Sequence, residues 1–279
     1  MNFDIVRQTE CRLGHTIWMS GRLLCQTFAD PAPQGVPMQR PSSFYIGLIS
    51  LIAFGVTACG GGGGGGYNSP PPPTTYNLQA GVLGALKSGL TSTVTLSGTV
   101  VANGNSVPVT GTGTWTLAPA VATTFNNASA MSQIETVSGT VTANGQTKSY
   151  SATDTSYYVA ADASLLGQVS TGEYDVAQSP ITLPTSVVGG SNAILGTLSR
   201  YRDSTLSVPL GTIQFSYAAT APADLVSPLS VALTTKIYDA NNMLLGTGVT
   251  TYTLTNGNQL AFVSASAQNS DGSLTFTSP

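Results

Sequence analysis

Beyond residue 75, apolar and hydroxyl side chains alternate with a period of two, and no other pattern in the chain competes with this one. In Thr93-Val94-Thr95-Leu96-Ser97-Gly98-Thr99-Val100 the apolar residues take the even positions and the hydroxyls the odd ones. From Val107 to Leu117 one face carries Val107, Val109, Trp115 and Leu117, with Gly111 and Gly113 between them and threonines opposite. Successive strand residues point to opposite sides, so such a chain is a sheet with one buried and one wet face.

Turn chemistry divides the alternation into hairpins. Asn103-Gly104 lies between the first two strands, and both residue types tolerate the positive φ of a type I′ turn. The same signal predicts hairpins around Asn144-Gly145 and Asn256-Gly257. Further strands are expected through Ile213-Phe215-Tyr217, Val231-Leu233-Ile237, Leu245 to Leu254 and Leu260-Phe262. The apolar face switches between Val249 and Tyr252, which predicts a bulge. Only Tyr76 to Leu90 has helical spacing (Leu78, Val82, Leu86), and glycines weaken it. Ser97 to Gly104 (SGTVVANG) returns 41 residues later as Ser138 to Gly145 (SGTVTANG), and Lys236 to Asn242 echoes it faintly. The expected fold is all-β: an antiparallel β-sandwich or a barrel-like meander of hairpins over 76–279. It would have two related halves, 76–170 and 190–279, after a disordered N-terminal region. A membrane-spanning barrel is disfavoured, because it needs an outward apolar band with aromatic girdles, and these strands put threonine and serine on the non-core face.

Upstream, Phe44 to Ala58 is apolar and uncharged, shorter than the roughly 20 residues of a spanning helix, and followed by glycine. It has the character of a signal-peptide core. Val56-Thr57-Ala58-Cys59 at its end resembles the lipobox of bacterial lipoproteins. That resemblance implies cleavage before Cys59 and a diacylglycerol on its sulfur, often with N-acylation of the new terminus. Where such proteins come from Gram-negative cells, an Asp after the cysteine holds them in the inner membrane. Gly60 stands here, which implies the outer membrane, with the domain facing the periplasm or the exterior. Residues 38–58 are thus expected to be the signal peptide, with Met38 as the start and 1–37 an upstream extension absent from the mature protein. Residues 59–75 form the tether. Gly60 to Gly66 reaches roughly 15 Å as flexible coil, and Pro70 to Pro73 adds a stiff segment of about 3 Å per residue.

From Cys59 onward there is no histidine and no second cysteine. Disulfides, thiolate or imidazole metal sites and histidine-based triads are therefore excluded. Basic residues number five (Lys87, Lys148, Arg200, Arg202, Lys236) against nine acids, so no patch exists to neutralise phosphates, and nucleic acid is not an expected partner. No cofactor, metal site or catalytic residue is expected.

Few residues remain as candidates for binding. Arg200-Tyr201-Arg202-Asp203 is the one charge cluster; period two would place Arg200 and Arg202 on one face, able to grip a carboxylate or anionic sugar, or simply to end a solvated strand. Tyr157 and Tyr158, with Tyr150, could stack on a sugar or pack across strands. Asp154, Asp162, Glu173 and Asp175 are close in sequence; two of them held about 5–10 Å apart could hydrolyse glycosides, and carboxylates with carbonyls could hold calcium, although no calcium-loop spacing is present. A serine nucleophile with Lys87, Lys148 or Lys236 lacks the Gly-x-Ser-x-Gly turn. The expected function is a lipid-anchored envelope protein with a non-enzymatic domain for binding or surface structure, its partners being the membrane through Cys59 and an envelope protein or glycan. The alternatives are a carrier or chaperone holding an apolar ligand between sheets, and a carboxylate-based glycan hydrolase. A deep apolar pocket would favour the carrier, and acids that fail to converge would remove the hydrolase.

Overall fold

The computed structural model describes residues 74–102, 104–222 and 227–279. The signal peptide, Cys59 with Val56, Thr57 and Ala58, most of the tether and residues 1–37 lie outside them. Among the described residues one helix, α1 (Leu78–Ser88), precedes thirteen strands: β1 (Leu90–Ala102), β2 (Asn105–Leu117), β3 (Val121–Phe125), β4 (Ala128–Ala143), β5 (Gln146–Tyr158), β6 (Leu165–Ser170) and β7 (Glu173–Ile181), then β8 (Asn192–Tyr201), β9 (Pro209–Thr220), β10 (Leu229–Asp239), β11 (Leu244–Leu254), β12 (Leu260–Asn269) and β13 (Gly272–Thr277).

The strands form an antiparallel meander in which each strand pairs with the next except β2 with β3, and the ends of the meander meet. β1 pairs with β13, and β2 pairs with β4 from Val109↔Ala143 to Leu117↔Glu135. Twelve strands therefore close into a barrel, and β3 sits outside the ring's count, paired with the first residues of β4. Closure leaves no sheet edge in the ring, which a sandwich could not achieve.

The faces follow the alternation. Val94, Leu96 and Val100 of β1 and Val107, Val109 and Trp115 of β2 are buried inside. Ala143 and Gln146 pair across a two-residue turn, with Asn144 and Gly145 at φ 48° and 73°, the type I′ geometry their residue types suit. The hairpin at Asn256-Gly257 is longer, closed by Thr255 N donating to the Gln259 carbonyl (3.0 Å), with Asn258 rather than the glycine at positive φ. The bulge appears as a register shift at Thr251/Tyr252 against β12. Gly139, from the second copy of the repeat, faces β2 at the closing seam, where a Cβ would collide with the Thr112 carbonyl oxygen and the Gly113 Cα. The repeat thus supplies a strand that can approach its neighbour's backbone closely.

Outside, the hydroxyls line up in rows. Thr277, Thr95, Thr112, Thr140 and Ser149 are successive lateral partners across β13, β1, β2, β4 and β5, and Thr275, Ser97, Thr110, Thr142 and Thr147 form a parallel row. Thr142 and Thr147 hydrogen-bond through their hydroxyls at 2.7 Å. This wall is the reverse of the apolar outer band of a membrane-spanning barrel. No helix among the described residues is long and apolar enough to cross a membrane.

Helix α1 packs into one mouth of the barrel, with Leu78 and Leu86 fully buried. The chain enters through an antiparallel bridge between Tyr76 and Val187, and the Asn77 side chain caps the helix by accepting from Ala80 N at 2.8 Å. At its other end Ala120 N donates to the Leu86 carbonyl (2.7 Å), and Gln133 Nε2 donates to the carbonyls of Ala85 (3.3 Å) and Ala118 (3.0 Å). The Ala120 bond satisfies a carbonyl that a helix C-terminus otherwise leaves unpaired, while the Ala85 carbonyl also accepts from Gly89 N at 2.8 Å.

Candidate ligand-binding cavity

The inner wall has two chemistries. From β9 round to β2 it is mostly apolar, with Ile213 and Ile237, packed with Leu198 of β8, at one end and Phe262, Phe276, Leu96 and Trp115 further round. Across β4 to β8 the inward positions turn polar: Gln133 and Glu135 on β4, Asp154 and Ser156 on β5, Gln168 on β6, Glu173 and Asp175 on β7 and Arg200 on β8. Cross-strand pairing sets them side by side, with Glu135 opposite Asp154, Ser156 opposite Gln168, Gln168 opposite Asp175, and Asp175 opposite Arg200. Directly opposed residues hold their Cβ atoms about 4.5–5.5 Å apart, so these side chains share one surface.

Beneath α1 the two walls leave a cavity of about 170 Å³. Val82 and Ala85 of the helix, with Leu165, Leu195, Phe215, Leu233 and Leu260, give it an apolar body, while Glu135, Tyr158, Gln168 and Tyr252 make its polar side. A cavity of this size accepts a molecule like benzene.

Glu135 is the chemical centre of the polar side. Trp115 Nε1–H donates to its Oε1 at 2.7 Å. Glu135 keeps some accessible surface, which it presents to the cavity; its carboxyl is otherwise enclosed by protein. Burial raises its pKa from the ordinary 4.5 to about 8; the Trp115 hydrogen bond works against that rise, and the neighbouring Asp154 adds to it. At neutral pH the carboxyl therefore holds its proton. Burial also pushes the Tyr158 hydroxyl up to about 12 and that of Tyr252 well above its ordinary value, with Glu135 contributing to both. Tyr252 is 8% exposed, its ring is tilted against Trp115 at 6.3 Å, and its hydroxyl makes no hydrogen bond among the described residues.

The residues singled out from the sequence have separate fates. Arg200 is 5% exposed, and its Nη2 lies 2.9 Å from both carboxylate oxygens of Glu173, while Nη1 donates to the Tyr238 carbonyl at 3.4 Å. Its guanidinium is committed inside the wall and does not grip an external anion or end a solvated strand. Arg202 does not share its face: the register shifts at Arg200/Tyr201, β8 ends at Tyr201, and Arg202 is exposed. Tyr157 and Tyr158 part company as strand neighbours must. Tyr157 faces outward and stacks on Phe125 at 4.4 Å, whereas Tyr158 lines the cavity. Tyr150 is buried in the core. Asp154, Glu173 and Asp175 converge on the inner wall, while Asp162 caps a turn by accepting from Ser164 N at 2.9 Å. Lys87 and Lys236 are exposed, and Lys148 faces inward towards the opposite mouth. No group of three or more potential metal ligands occurs among the described residues.

Glu135 and Gln133 are not among the candidates read from the sequence, where Tyr252 figures only in the face switch of β11. The available signal was a conflict in β4: the parity that puts Val137 and Val141 inside also puts Gln133 and Glu135 there, while Ile134 points out at 44% exposure. A polar pair on the core parity of an alternating strand marks an unusual interior.

No protein-family model matches the chain, and no curated protein matches it in sequence. Among solved structures, a domain from Vibrio parahaemolyticus described as an outer membrane lipoprotein-sorting protein aligns over 72% of this chain and 89% of its own, with 10% identity and a TM-score of 0.26. A likeness of that size does not bear on what this chain does.

Proposed function

We propose that this protein is a lipid-anchored envelope protein whose barrel holds a small, largely apolar ligand in its lumen without transforming it. The observation that carries the reading is the cavity under α1, apolar over most of its wall and polar on one side, the composition by which small-molecule sites fix orientation and gain affinity together. The envelope address rests on Val56 to Cys59, with Gly60 pointing to the outer membrane. The hydroxyl-covered outer wall suits a domain held in water on a tether.

Glu135 and Asp154 do stand as close as the carboxyl pair of a glycosidase. They stand inside a barrel, however, beside a cavity of about 170 Å³ covered by a helix, which leaves no room for an oligosaccharide between them. This favours the carrier over the hydrolase.

Two experiments test the reading. Cys59→Ala should move the protein from the membrane to the soluble fraction and abolish fatty-acid labelling; retention with labelling intact refutes the anchor. Titrating the full-length chain with toluene should raise its melting temperature and shift the Trp115 indole N–H resonance. A lumen that binds no small apolar probe refutes the carrier.

A further inference from the structure

Resting on that reading of the lumen, we propose that the ligand's head group is a protonated amine, seated between the Glu135 carboxyl and the hydroxyls of Tyr158 and Tyr252, with its apolar body beneath α1. The charges around the polar side select this chemistry. Glu135 lines it from β4, and Asp154 stands opposite Glu135 on β5; Glu173 and Asp175 on β7 and Arg200 on β8 lie further round the inner wall, outside the cavity lining. The guanidinium Nη2 already bridges both carboxylate oxygens of Glu173. Helix α1 contributes only Val82 and Ala85, and its Lys87 is exposed. Lys148 shares the inward face of β5 but lies six residues from Asp154, about 20 Å along the strand. Among the described residues the cavity wall contains no lysine or arginine. An anionic head group would therefore meet the Glu135 carboxyl, with Asp154 behind it and no cation in the lining, whereas an ammonium finds acceptors there.

Two further features fit. The Tyr252 hydroxyl, on a residue 8% exposed, offers lone pairs that no described residue uses, and an ammonium is a donor with no acceptor of its own. The aromatic faces of Tyr158 and Tyr252 border the same space, where a desolvated cation gains from ring quadrupoles. The size limits the body to about one ring with a short arm.

The proton balance is explicit. In the empty barrel the Glu135 carboxyl is neutral, because a lone buried carboxylate is costly. When RNH3+ arrives, the carboxyl loses its proton to bulk water and the carboxylate pairs with the ammonium. One cation enters, one proton leaves, and the charge of the site is unchanged. Amine affinity therefore rises with pH up to about 8, where Glu135 in the empty barrel titrates.

The test uses the full-length chain in detergent with benzylamine, benzyl alcohol and benzoate, three probes of nearly one size. Binding is followed by the Trp115 indole N–H resonance, Trp115 being the one tryptophan from Cys59 onward. Proton release is followed by calorimetry in buffers of different ionisation enthalpy. Benzylamine should bind about tenfold more tightly than the alcohol near neutral pH, benzoate should not bind, and benzylamine affinity should rise towards about tenfold per pH unit below the Glu135 titration, releasing about one proton. Glu135→Gln should bring benzylamine down to the affinity of the alcohol. Equal or tighter binding of the alcohol overturns the amine assignment while leaving the lumen a binding site. Failure of all three probes, and of toluene, removes both. Should Glu135→Gln not fold, the wild-type pH profile decides: amine affinity that is flat below pH 8 overturns the proposal.

Discussion

Glu135 ties stability to pH in a direction opposite to that of most carboxylates. Its pKa is raised on folding from 4.5 to about 8, so between those values the folded state holds a proton the unfolded chain has lost. The Glu135 contribution to stability is then fully present below about pH 4.5 and is lost as pH rises, with a slope approaching about 1.4 kcal/mol per unit, levelling off past pH 8. Glu135→Gln keeps a neutral acceptor for Trp115 and should flatten this slope. Thermal unfolding of both proteins from pH 4.5 to 9 checks it, and parallel profiles would locate the linkage elsewhere. The same residue shows what a sequence hides. Period two marks the inside of β4 correctly, but Ile134 next door advertises the opposite parity, and a glutamate at a core position looks like an ordinary surface charge until the strand's partners are known. Arg200 misleads similarly. Its cluster has the composition of an exposed strand end, and only pairing with β7 brings Glu173 and Asp175 to it.

At the scale of elements, the hairpins with a Gly-bearing turn and a clean alternation were legible, as was the helix from Leu78, Val82 and Leu86 despite its glycines. The strands from β6 to β8 were not, and the reason is chemical. Their inward positions carry Gln168, Asp175 and Arg200 while Val169 and Val176 face outward, so neither parity is apolar throughout. The very feature that makes the polar wall erases its periodic signature. Two substitutions probe the elements. Leu86→Ala, at a side chain 1% exposed in the covering helix, should cost about 2–5 kcal/mol in urea unfolding. Gly139→Ala forces a methyl against the Thr112 carbonyl at the β2–β4 seam and should cost about 1–3 kcal/mol, more than an alanine at solvent-facing Thr140. Equal effects at the two positions would mean the seam is looser than its geometry.

For the whole molecule the decisive contacts are the most distant ones. Thr95 pairs with Thr277, 182 residues along the chain, and nothing in local alternation announces such a partner. Sequence reasoning therefore reached hairpins and stopped short of choosing barrel over sandwich. Closure also predicts a vulnerability: ending the chain at Asn269 removes β13 and bares the edges of β1 and β12. Such a chain should aggregate or run as oligomers in size-exclusion chromatography, and a monomer with native circular dichroism would show that the ring tolerates a gap. Loop-closure entropy at this separation should also make folding slow. Finally, the rows of threonine and serine that cover β13, β1, β2, β4 and β5 hold their water through neutral groups. Dissolved ions have little to screen on such a wall. A protein clothed this way meets fresh and saline surroundings with the same coat.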